Sequence, residues 1–202
     1  LTVETCRQGR IAWGVRRSLA LAAALCLVAT SARDQDSLAT AVKASYLSKF
    51  APFVVWPAGP TGPGTFAICV VGKDPFGGVL DRAVGGQTIV GRPAAVLRLA
   101  TIQANSPCQI AFLGGSPAQG IKDALRALHG APVLTVTDGG VPRGIIDLAI
   151  VDGRVRFRVD NQAAADSGLT ISSKLLSLAL SVSPGRNEQG FDRSRRAAKD
   201  TT

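Results

Sequence analysis

The chain has 202 residues, enough for one domain with a full core and short for two. Its composition, 46% hydrophobic with no repeat period, is that of a globular protein. The formal charge of +9 is concentrated at the ends: residues 1–35 contribute +3, residues 183–202 contribute +2, and the long middle only +4, too little to mark a nucleic-acid-binding surface.

The segment VRRSLALAAALCLVATSARDQ starts with Arg16 and Arg17, runs apolar from Leu19 to Ala29 and ends in small residues. That is the layout of a secretory signal peptide covering residues 1–32, cleaved after Ala32, with Val15 as a candidate natural start. The apolar run is too short to span a bilayer, so the mature chain is not itself transmembrane. Cys26 lies in the run, but Leu25 stands where a lipoprotein signal needs a small residue.

Asp36 to about Trp56 reads as the first helix, with Asp36 or Ser37 as its cap and Pro57 as its stop. Tyr46, Phe50, Phe53 and Trp56 fall on one helical face, although Pro52 interrupts the run. The first three read as core. Trp56 reads equally as core or as an exposed anchor for a partner. Ala58–Gly64 is a turn-rich loop, Thr65–Gly72 a buried strand and Pro75–Val84 a short helix. Gln87–Val90 and Ala94–Leu99 read as short strands, and Ile110–Leu113 as another. Ser116 and Pro117 then open a helix that runs to His129. Val133–Thr137 is a further strand, and Ile145–Val151 and Arg154–Asp160 flank the hairpin signal Asp152–Gly153. Ser172–Val182 is the last helix, and the polar segment 183–202 reads as a disordered tail. The order predicts an α/β fold: a single domain over residues 36–182 with a central mixed β-sheet flanked by α-helices.

Cleavage removes Cys6 and Cys26 and leaves Cys69 and Cys108 in a compartment that permits disulfides. Each lies in or beside an apolar strand run, so neighbouring strands would bring the sulfurs together. Free or metal-binding thiols are the alternative, and no C-x-x-C pair or histidine cluster supports them.

Catalytic signals are sparse. His129 is the only histidine, at a helix end where it suits the helix dipole. Glu4 and Glu188 lie outside the predicted domain, which leaves Asp138, Asp147, Asp152 and Asp160 for acid–base work. Of these, Asp138 and Asp152 sit in turns that favour aspartate for local hydrogen bonds. VGKDPFGG follows a strand and opens a helix as phosphate loops do, but lacks the glycine spacing and the Gly-Lys-Ser/Thr ending. No catalytic residue, cofactor or metal site is assigned, and the chain reads as a non-enzyme. RVRFRVD alternates: Val155, Phe157 and Val159 face the core, while Arg154, Arg156 and Arg158 line the other face. That stripe is either a solvated edge guarding against strand pairing or a surface for an acidic partner or anion.

In order along the chain, YLSKF..FVVWP, ICVVGKDPFG..L, GRPAAVLRL, CQIAFLGGS, PVLTVTD and GIIDLAIVDGRVRFRVDNQAA..SGLTISSKLLSLA resemble the YfiR family of bacterial periplasmic proteins. The resemblance implies a central sheet flanked by helices, a family disulfide at Cys69 and Cys108, and a tendency to dimerise. It also implies a periplasmic negative regulator that binds the periplasmic domain of a membrane-anchored diguanylate cyclase of the YfiN type and restrains cyclic di-GMP signalling and biofilm formation. Family members often carry a basic residue at Pro52 and an acidic one at Val55, and some hold a second cysteine pair near the hairpin, which this chain lacks. Partner-binding candidates are Trp56, Arg154, Arg156, Arg158 and Lys174. The competing reading is a periplasmic small-ligand or anion-binding module with no cyclase partner, its ligand held near Arg154–Arg158.

Overall fold

The computed structural model describes residues 37–57 and 64–183. The predicted signal peptide, Cys6 and Cys26, Asp36, most of the Ala58–Gly64 loop and all of the tail beyond Ser183 lie outside the described residues. The described residues from Ala39 on form one compact unit.

The first helix, α1, covers residues 37–50. The expected extension to Trp56 does not form. Pro52 falls in a tight 3-10 turn, Ala51–Phe53, after which Val54–Val55 is strand β1. Proline cannot donate the backbone bond that a continuing helix needs, and β1 is instead paired antiparallel with β9, Thr170–Ile171.

The main sheet has eight strands in the order β10-β8-β7-β6-β5-β2-β4-β3. Five of them form a parallel block: β4 (Arg92–Leu99), β2 (Phe66–Gly72), β5 (Ile110–Gly115), β6 (Leu134–Asp138) and β7 (Ile146–Val151). Strand β3 (Thr88–Ile89) closes one edge antiparallel to β4. At the other edge β8 (Arg154–Asp160) forms the predicted hairpin with β7, and β10 (Val182–Ser183) runs parallel to it. Asp152 and Gly153 both have positive φ, at 50° and 69°, as a two-residue hairpin turn requires.

Strands buried on both faces read as continuous apolar runs because alternate residues serve two cores. Phe66, Ile68 and Val70 of β2 join one core with Ile110, Phe112, Leu134, Val136, Phe157 and Val159, packed under Leu47 and Phe50 of α1 and Leu80 of α2 (Gly78–Val84). Ala67, Cys69 and Val71 join the opposite core with Ala111, Leu113 and Val133, under Ala124 of α3 (Ile121–Ala127). The protein is a single α/β domain with a mixed sheet and flanking helices, as expected from the order of elements.

Several boundaries moved. Ser116 does not cap α3: its hydroxyl accepts from Gln119 N–H at 3.2 Å in a preceding turn, and the helix begins at Ile121. The final helix shrinks to α5, Ser173–Leu176, capped by Ser172, because the chain then turns back so that β10 can pair with β8. Ser183, assigned to the tail, is therefore a strand residue. Helix α4, Asn161–Asp166, was not foreseen; Asp160 caps it by accepting from Ala163 N–H.

Candidate functional site

In a parallel sheet with this order, a ligand crevice is expected beyond the carboxyl ends of β2 and β5, where successive connections depart in opposite directions. Here that point is closed by backbone. Lys73 N–H donates to the Gly115 carbonyl at 2.9 Å. A Cβ on Gly114 would lie 1.9 Å from the Lys73 carbonyl oxygen, and one on Gly72 (φ +78°) 2.5 Å from that of Gly115. Glycine is required because two chains meet where side chains would stand.

The adjacent VGKDPFGG turn is also self-satisfied. The Asp74 carboxylate accepts from Phe76 N–H at 2.7 Å and Gly77 N–H at 3.1 Å, taking the donors a phosphate would use. Arg98 reaches over from β4, donating to Asp74 at 2.8 Å and through both terminal nitrogens to Asp81 at 3.0 and 2.6 Å. Burial alone raises the pKa of Asp74, but the bonds from Phe76, Arg98 and Gly77 outweigh it and hold the group below its ordinary value. The Arg98 bond likewise lowers Asp81, and the two carboxylates raise Arg98. The motif is a strand–helix turn with its own internal anion.

The remaining aspartates also have local roles. Asp138 pairs with Lys43 of α1 at 2.7 Å, Asp160 caps α4 and Asp152 makes the hairpin turn. Asp147 is buried on the β7 face next to Thr137. It accepts from the Thr137 hydroxyl at 2.9 Å and Gly139 N–H at 3.1 Å, and pairs with Arg158 at 3.1 Å and Arg143 at 3.3 Å. Together with Thr135, whose hydroxyl accepts from Ile145 N–H, it pins the short return from β6 to β7 against the sheet. His129 follows α3 beside Leu125, Leu128 and Arg143. Among the described residues no three metal-ligating side chains converge, and no helix is long and apolar enough to cross a membrane.

The open site lies at the β8 side of the molecule. Tyr46 and Phe50 of α1 meet Phe157 of β8 in an aromatic cluster with ring centroids 5.3–6.1 Å apart and near-perpendicular Phe157 contacts. A groove of about 300 Å³ runs over this cluster, lined by Tyr46, Phe50, Phe53, Phe157, Leu175 and Leu178 and bordered by Lys49 and Arg156. Lys174 of α5 holds its ammonium 5.9 Å above the Phe53 ring. Leu178 is 57% exposed, and Leu180 and Val182 continue the apolar surface along the same segment.

The structure brings together some of the candidates and separates others. Arg156 borders the groove beside the Tyr46–Phe50–Phe53 stripe, and Lys174 stands over the Phe53 ring that lines it. Phe50 is buried, while Tyr46 and Phe53 pack half-buried against the core. Alternation puts Arg156 on the opposite face from Phe157, so it meets the groove at the strand's edge. Arg158 is drawn instead to Asp147, and Arg154 sits exposed beside the hairpin turn. Trp56 does not line the groove. Its ring packs edge-on against Phe66 at 5.6 Å, and its buried indole N–H has no partner among the described residues. Lys49, Leu175 and Leu178 escaped the sequence reading. Their signal was present in Lys49 next to Phe50 and in the i, i+3 spacing of the two leucines.

Cys69 of β2 and Cys108, just before β5, form a disulfide with Cα atoms 5.8 Å apart. Cys69 stands beside Ala111 in the β2–β5 register, so the strand neighbours expected to bring the sulfurs together do so.

Fold and site thus define a mixed-sheet α/β domain whose usual ligand crevice is filled by backbone and which carries an aromatic groove with a cationic border. The chain belongs to the YfiR/HmsC-like family, whose profile matches residues 40–180. No curated protein matches it.

Proposed function

We propose that the protein is a periplasmic regulator that binds the periplasmic sensor domain of a membrane-anchored diguanylate cyclase and holds the enzyme inactive. The observation that carries this reading is the groove: an apolar, half-open surface on a family domain whose switch-point crevice is sealed. Its volume of about 300 Å³ is at the floor of small-ligand pockets, which enclose most of their ligand, so an open groove of this size suits a partner's side chains better. Export is supported by the signal-like leader and by the disulfide. A non-enzymatic role is supported by the structural engagement of Asp138, Asp147, Asp152 and Asp160. A second copy of the chain is a further partner that the family resemblance implies.

Repression then works by population shift. The regulator must bind the inactive cyclase more tightly than the active one, and an equilibrium moved from 1:99 to 99:1 needs a preference of about 5.5 kcal/mol. The test is capture from solubilised membranes of the source bacterium by residues 33–202, with and without reductant, and mass spectrometry of what is retained. Recovery of a diguanylate cyclase supports the reading. Absence of any membrane partner in both states removes it.

A further inference from the structure

Resting on the regulator reading, the geometry points to the chemistry of the partner segment: we infer that the groove takes an acidic, apolar-rich polypeptide segment, with large apolar side chains over the aromatic cluster and carboxylates at the border.

The charge pattern carries this. Five cations of the domain are matched by carboxylates: Lys43 by Asp138, Arg98 by Asp74 and Asp81, Arg126 by Asp123, and Arg143 and Arg158 by Asp147. The three at the groove are not, and there they border an apolar floor. Lys49, Arg156 and Lys174 make no ion pair among the described residues, and no acidic side chain lines the groove. A cationic border around an apolar floor leaves charge to be met from outside. Carboxylates placed there would form charge-assisted hydrogen bonds beside a surface that excludes water, and would steer encounter as well.

The aromatic geometry argues against a nucleic acid as the occupant. Base stacking needs a free ring face, whereas Phe157 meets Tyr46 and Phe50 edge-to-face at 83° and 72° and Lys174 lies over Phe53. Leucine or phenylalanine side chains laid between Leu178 and the cluster need no such face. The continuation of exposed apolar surface through Leu180 and Val182 suits a segment rather than a single residue.

The test uses the mature chain and three fluorescein-labelled synthetic peptides, read by anisotropy. One combines Leu and Phe with Asp and Glu; the second replaces its acids with Lys; the third keeps the acids and replaces Leu and Phe with Ser. The first should bind, and the others should be at least about tenfold weaker, the size expected from a few partly exposed charge pairs. The Lys49→Glu/Arg156→Glu/Lys174→Glu variant should reverse the preference to the second peptide. Leu178→Asp should weaken binding of the first peptide without changing thermal stability, since its side chain is mostly exposed. Equal binding of the first two peptides, binding of none, or an unchanged preference in the charge-reversed variant overturns the inference. Cyclase capture separates the two proposals. Capture by wild type and equally by the charge-reversed variant sinks the groove inference and leaves the regulator standing. An acidic-peptide preference with no cyclase captured by wild type does the reverse.

Discussion

Asp147 shows how little a residue's type says about its task. It was one of four aspartates that chemistry could have used, and it lies at the centre of a buried network of Thr137, Gly139, Arg143 and Arg158. Asp147→Ala leaves the buried Thr137 hydroxyl without its acceptor, while Gly139 N–H keeps the Leu148 carbonyl and both arginines retain access to water. A loss of about 1–3 kcal/mol in urea denaturation is expected, with no effect on an acidic peptide at the groove. Arg98 offers a second test, through pH. Both its carboxylate partners have lowered pKa values, so their contribution is fully present above the unfolded value near 3.8 and is lost as the pH falls through the lower folded values. Arg98→Met should therefore lower the urea midpoint by a constant amount between about pH 5 and 8. The difference from wild type should shrink below about pH 4.

At the scale of elements, the sealed junction between β2 and β5 is the most exacting part of the fold. Gly114→Ala would place a methyl group against the Lys73 carbonyl, and both chains are held in the sheet by their neighbours. Overpacking costs about 1–3 kcal/mol where side chains can shift. Here backbone must move, so the loss in denaturant should reach the top of that range or pass it. Gly77→Ala, whose Cβ would meet nothing within 4 Å but has φ +48°, serves as the comparison: it carries backbone strain without the clash and should cost less. The strands themselves were readable in advance, since FAICVV and IAFL are short apolar runs, bounded by glycines or polar residues, of the kind a doubly covered strand carries. Strand β10 and the end of α1 were not. Leu178 to Val182 carries helix-compatible residues, and it leaves helical geometry only because the outer backbone of Phe157 and Val159 bonds to Leu180 and Ser181.

At the scale of the whole molecule, the disulfide ties the two strands that flank the switch point. It closes a loop with a sequence separation of 39, which loop-closure entropy values at about 3–4 kcal/mol. A Cys69→Ser/Cys108→Ser variant should lose about that much in urea denaturation. Wild type in reductant should match it only when the bond, buried in the core with both sulfurs' residues nearly inaccessible, has been opened by partial unfolding. A reductant effect at full speed on the native protein would contradict that burial.

The sequence by itself determined the class of fold, the strand that holds Cys69, the alternation of RVRFRVD and the hairpin turn. Each of these is a local pattern: a period of two, an apolar run or a turn dipeptide whose backbone demand is met within a few residues. It also carried the resemblance that the family match over residues 40–180 confirmed. Only the tertiary structure decided that Trp56 packs on Phe66, that Arg158 is spent on Asp147 while Arg156 is left at an open edge, and that Lys49, Phe53, Phe157 and Leu178 share one groove. These residues come from α1, the turn after it, β8 and the segment after α5. Their meeting depends on which strands become neighbours and which edge stays uncovered, and neither is encoded in the periodicity of any one segment.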